Sequence, residues 1–153
     1  MPPLVRNVLA ALGSYVALFA IIFVSFSIVW LILGPEGSFV EASWDVSGAW
    51  VAASIILGLL AAIAAGSLCA RLQANRHGVH ILIAIIVFMG LLSAMPGGEA
   101  AVTGPRPEDV SMFDAMSSAE QPRWILWLNP FIGIAGVLLG ARWTARATAK
   151  DAV

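Results

Sequence analysis

Residues 49–95 read AWVAASIILGLLAAIAAGSLCARLQANRHGVHILIAIIVFMGLLSAM. Neither 49–70 nor 79–95 contains an Asp, Glu, Lys or Arg, and the polar octet RLQANRHG (71–78) separates the two runs. An α-helix rises about 1.5 Å per residue, so about 20 apolar residues cross a hydrocarbon core about 30 Å thick. The stretch therefore predicts two membrane-crossing helices joined by a tight turn at one bilayer face.

Working outward, the same test finds one further run before this stretch, at 8–33, and one after it, at 124–141. The composition agrees, with 60% hydrophobic residues, 11% charged and a mean hydropathy of +0.92. A soluble domain carries about 25% charged residues, enough to cover a surface that this chain could not. The fold predicted is an all-α integral membrane four-helix bundle, built as two antiparallel helical hairpins in one transmembrane domain over 1–153. Arg6 ahead of the first run suggests a secretory signal, but 26 residues far exceed a signal core of about 7–15. The run is expected to stay as an anchor.

With four crossings, Arg6, Arg71, Arg76, Arg142, Arg146 and Lys150 share one side, whereas Arg106 and Arg123 lie on the other. The excess of basic residues predicts cytoplasmic termini in a bacterial inner membrane. The acids lie on the opposite side, apart from Asp151, and Trp30, Trp44, Trp50, Trp124 and Trp127 cluster at that interface.

Small side chains recur at every fourth position in the second span: Ser54, Gly58, Ala62, Gly66 and Ala70. Gly90 and Ala94 repeat the spacing in the third span, Gly136 and Gly140 in the fourth, and Gly13, Ala17, Ile21 and Ser25 less regularly in the first. Such ridges let helix backbones approach closely, which drives association in lipid. They predict packing inside one bundle, or a face for another membrane protein or a second copy. ARLQA (70–74) and ARWTA (141–145) also hint at a duplicated hairpin.

Cys69, His77 and His80, the only cysteine and histidines, fall within twelve positions of one another. A metal needs three or four converging ligands, and a haem needs axial ligands on opposite faces. Cys69, His77 and His80 are the candidate metal ligands, and His80 is the candidate cofactor ligand. Without a second cysteine or a nearby acid, the stretch reads as a polar turn, with Gly78 assisting the reversal and arginines at the headgroups. No cofactor is expected.

Between spans one and two, Gly34-Pro35 should stop the first helix, and Asp45 or Ser47 should cap the second. The loop 96–122 should be irregular through Pro107 and then form a short extra helix over 107–119. Val110, Phe113 and Met116 would line one face of that helix, capping the bundle or docking a partner. Met112 and Met116, with Met95, have thioethers suited to Cu(I), but no outer His or Cys accompanies them.

No Asp, Glu, Lys or Arg lies within a span, so a proton relay or charged-substrate site has no obvious carrier. Catalytic motifs are absent, and the few dispersed basic residues give no footprint for nucleic acid. In its layout and its small-residue helices ending in Ala-Arg, the chain resembles the small four-span membrane proteins of bacteria. That resemblance implies a membrane bundle and transfers no site residues. The function expected is a non-catalytic accessory, structural or assembly subunit in the bilayer, with a small oligomeric transporter or channel as the alternative.

Overall fold

The computed structural model describes residues 1–94, 106–107 and 110–150; for Met116, Ala149 and Lys150 it describes the backbone alone. Five helices follow one another: α1 (Pro3–Ser38), α2 (Gly48–Leu72), α3 (His77–Ala94), α4 (Met112–Ser118) and α5 (Arg123–Lys150). All but α4 are long and apolar enough to cross a membrane. The chain is an all-α membrane bundle. Each predicted span lies on its own helix, with Met95, the last residue of the third, outside the described residues. Two helices run well past the apolar limits: α1 extends five residues beyond its run at each end, and α5 carries the basic segment 142–150 as a continuous extension.

Proline at the first position of α1 suits a helix start, where its missing amide has no partner to lose. Gly34 breaks α1 at φ 63°, ψ −176°, a backbone region that side chains with a Cβ avoid. Pro35 then opens one further helical turn, closed by the Phe39 amide on the Pro35 carbonyl at 3.1 Å. Ser47, rather than Asp45, caps α2: its hydroxyl accepts from the Trp50 amide at 3.2 Å and donates to the Gly37 carbonyl at 2.6 Å.

Around the bundle the neighbours run α1, α2, α5, α3, so that α1 and α5 stand apart while α2 and α5 form the closest seam. This order corrects the duplicated-hairpin expectation. A twofold axis along the bundle would set α1 against α5 just as it sets α2 against α3, yet only the second pair meets. The two Ala-Arg motifs share a helix end, not a symmetric environment.

The α2–α5 seam absorbs much of the small-residue pattern. A Cβ on Gly66 would strike the Val137 backbone, one on Gly136 would meet Ala62, and one on Gly140 would strike the Ile63 carbonyl. At the end of the seam, the Ser67 hydroxyl donates to the Gly140 carbonyl at 3.1 Å. Gly90 of α3 rests on the ring of Pro130. Ala70 packs beside the core, and Ala94, half-buried, ends α3. The ridge on α1 is not a seam, because Gly13 is exposed and a Cβ there would meet nothing within 4 Å. Helix α1 packs instead through Asn7, Ala10, Ala11, Ser14 and Leu18, one stripe at helical spacing.

Both termini and the α2–α3 turn share one end of the bundle, here the basic end. The opposite, acidic end is closed by the 39–46 loop, which pairs with itself (Phe39 with Val46) and with Glu120 ahead of α5.

Candidate binding crevice toward the acidic end

Burial along α1, α2 and α3 is lopsided. The only fully buried residues of α1 before its kink lie between Asn7 and Leu18; those of α2 begin at Ala61, and those of α3 end at Ile86. Their basic-end halves form a closed core of Ala10, Ala11, Ala61, Ala65, Cys69, Leu82 and Val137. Small residues let those halves touch. Toward the acidic end the side chains of α1 turn large and aromatic, and the helices no longer fill the space between them.

The result is a crevice with two arms that share Phe19, Ile22, Phe26 and Gln121. The upper arm, about 240 Å³, lies beneath α4 among Phe23, Trp30, Phe39 and Trp50. The lower arm, about 320 Å³, reaches down to Tyr15, Ala62 and Ile86. Phe26 and Trp50 stand 5.1 Å apart, Trp30 and Phe39 6.2 Å, and Phe39 and Trp44 5.9 Å, so a ladder of tilted and edge-on rings climbs the wall. The Arg106 guanidinium caps it, 5.3 Å from the Phe39 centroid and 3.0 Å from Glu36.

Polar groups punctuate this apolar lining. Tyr15, Ser54, Ser93, Gln121 and Asn129 all line it. Ser54 and Ser93 return their hydroxyls to carbonyls one turn back, at 2.8 and 3.0 Å. Pro130 lacks an amide, which leaves the Leu126 carbonyl in the same wall without its helical donor. In the upper arm the wholly buried Ser38 hydroxyl has no partner among the described residues. The arrangement suits an elongated apolar occupant with a few hydrogen-bonding groups.

The predicted packing residues thus divide. Ala62, Gly66, Gly136 and Gly140 are spent inside the bundle, whereas Ser54 and Gly58 face the crevice, and a Cβ at Gly58 would meet nothing within 4 Å. The docking trio needs correction. Ser111 is the N-cap of α4, with its hydroxyl accepting from the Asp114 amide at 3.2 Å, so Val110 precedes the helix. Val110 packs inward against the cluster of Phe39, Trp44, Val46 and Ala115, while Phe113 is 77% exposed. They do not share a face. The side chain of Met116 lies outside the described residues, as do Met95, Glu108 and Asp109. The buried contact of α4 is Ala115, too small to stand out in a search for large apolar residues.

At the basic end the structure separates Cys69 from the histidines. Cys69 is wholly buried in the core, His77 and His80 are exposed, and the two imidazole centroids are 6.4 Å apart. Among the described residues no three His, Cys, Asp or Glu groups converge. The turn is organised by Asn7, which a search for charged residues passes over. Its Oδ1 accepts from the amides of Ala74 (2.9 Å) and Asn75 (3.3 Å), and its Nδ2 donates to Asn75 Oδ1 at 2.7 Å. Asn75 Oδ1 also caps α3 by accepting from the His77 amide at 3.1 Å, and Gln73 Oε1 accepts from Val79 at 3.0 Å. Arg6 donates to the orphan Leu72 carbonyl at 2.8 Å. One signal for Asn7 was available: it is an amide placed where the first span begins. Asn129 and Gln121 escaped for the same reason, being polar without charge.

No protein-family model matches the chain, and no curated protein or solved structure does either.

Proposed function

We propose that the chain is a non-catalytic integral membrane subunit that packs against another membrane polypeptide and seats an apolar segment of it in the crevice. One observation carries this reading: the acidic-end half of the bundle is left unfilled beside Ser54 and Gly58, where a neighbouring backbone can approach closely. Basic residues gathered around the termini favour a cytoplasmic location for that end in a bacterial inner membrane.

The test combines native mass spectrometry of gently extracted protein with a photo-crosslinker, Phe23→benzoylphenylalanine, in the host membrane. A second polypeptide in the mass and in the crosslink is the expected result. A partner-free protein whose only crosslinks are to lipid overturns it.

A second reading, a small oligomeric transporter or channel, draws on Tyr15, Ser54 and Asn129 in the crevice wall. Against it, the basic-end core is closed around Ser14, whose wholly buried hydroxyl leads nowhere. A defined homo-oligomer that carries solute flux in vesicles would favour this reading.

A further inference from the structure

A second cleft, of about 900 Å³, opens at the basic end between the α2–α3 turn and the last turns of α5. Arg76 comes to it from the turn and Arg142 from α5, and His80 and Gln73 line it as well. Ala70, Val79, Leu138 and Ala141 supply its apolar lining. No carboxylate lies at this end among the described residues; the one ion pair they contain, Arg106 with Glu36, is at the other end. The two arginines are more than sixty positions apart in sequence and meet at one cleft only because α5 continues as a helix beyond its apolar run.

We propose that this cleft seats the headgroup of an anionic phospholipid from the leaflet bordering the basic end. The phosphate lies between Arg76 and Arg142, and the glycerol and upper acyl chain lie along Val79 and Leu138. Charge complementarity selects the occupant, because two guanidiniums with no counter-ion among the described residues lie at the layer where lipid phosphates sit. Guanidinium suits the task, since its planar fork matches phosphate oxygens. The helix α3 N-terminus does not serve as the anion site, as Asn75 and Gln73 already occupy its first amides. A zwitterionic lipid offers the same phosphate but brings a cation toward the same arginines.

The test uses full-length protein, stripped of lipid in detergent, with binding followed by native mass spectrometry. Phosphatidylglycerol should bind with one tight site and be preferred over phosphatidylcholine. In the double variant Arg76→Gln/Arg142→Gln the preference should fall roughly tenfold to thirtyfold, since each basic residue near an anionic surface contributes about fivefold. Arg71→Gln removes a charge at the same end but outside the cleft, and should keep the preference. Equal losses in both variants would reduce the effect to bulk charge and overturn the site. Inorganic phosphate at millimolar concentration should compete poorly; full competition would make the occupant a free anion. Should the double variant not fold, a photoactivatable phosphatidylglycerol on the unaltered protein decides. Labelling confined to peptides within 70–80 and 138–148 supports the cleft, and labelling spread over all lipid-facing helices overturns it.

Discussion

A single glycine hydrogen separates a seam from a clash in this bundle. At Gly66 and Gly140 the Cβ of an alanine would run into backbone, which has no rotamer to yield. Gly66→Ala and Gly140→Ala should each destabilise by about 1–3 kcal/mol, the usual cost of overpacking. Gly58→Ala, facing the crevice, should be neutral or stabilising by up to about 1 kcal/mol, because helix propensity then acts alone. Unfolding titrations of the three variants in mixed micelles check the contrast, and equal effects at Gly58 and Gly66 would refute the assigned faces. Asn7 is a second residue of this kind. Asn7→Ala leaves the amides of Ala74 and Asn75 without their acceptor, at a cost of about 1–3 kcal/mol. Trypsin cleavage at Arg76 in the folded protein should accelerate accordingly, while the neighbouring variant Leu4→Ala, at an exposed site, should leave the rate unchanged.

Among the elements, α1 is the one whose shape sets the crevice. Gly34 turns the chain so that the helical turn 35–38 reaches back to Ser47, whose hydroxyl joins the end of α1 to the start of α2. Gly34→Ala forces a Cβ into that backbone region and should cost roughly 1–3 kcal/mol. Its readout is the intrinsic fluorescence of Trp30 and Trp44, which shifts to the red if the aromatic ladder opens. An unchanged spectrum and stability would mean that the kink is not held by this residue. Helix α4 has only seven residues and depends on its contacts rather than on its own propensity. Ala115, its one buried residue among those whose side chains are described, and the preceding Val110 hold it against the aromatic cluster.

For the molecule as a whole, the sidedness of the charges is a matter of topology and can be read directly. In a Cys69→Ala background, Ser117→Cys and Ala147→Cys are exposed positions at opposite ends and should react with a membrane-impermeant maleimide from opposite sides of sealed vesicles. Labelling of both from one side would refute the four-crossing arrangement. In the unaltered protein, Cys69 itself is wholly buried, so it should resist the reagent until the bundle is unfolded.

The spans, the membrane setting and the grouping of basic residues at one end were legible in the residues themselves. Apolar run length and charge position are local quantities, and a hydrocarbon solvent leaves few alternatives to a helix. Turn residues were equally plain, and Gly34-Pro35 and Ser47 act where local chemistry places them. Which small residues are buried was not legible, because Gly58 and Gly66 share one ridge and differ only in what stands opposite. The face of α4 was misread because the helix starts later than expected: with Ser111 as the cap, Val110 precedes the helix and does not follow its spacing. Only the tertiary structure decided that the ring runs α1, α2, α5, α3, that its basic half closes on alanines while a crevice opens in its acidic half, and that Arg76 and Arg142 line one cleft. Those outcomes depend on the approach of segments distant in sequence, which the pattern along any one helix does not encode.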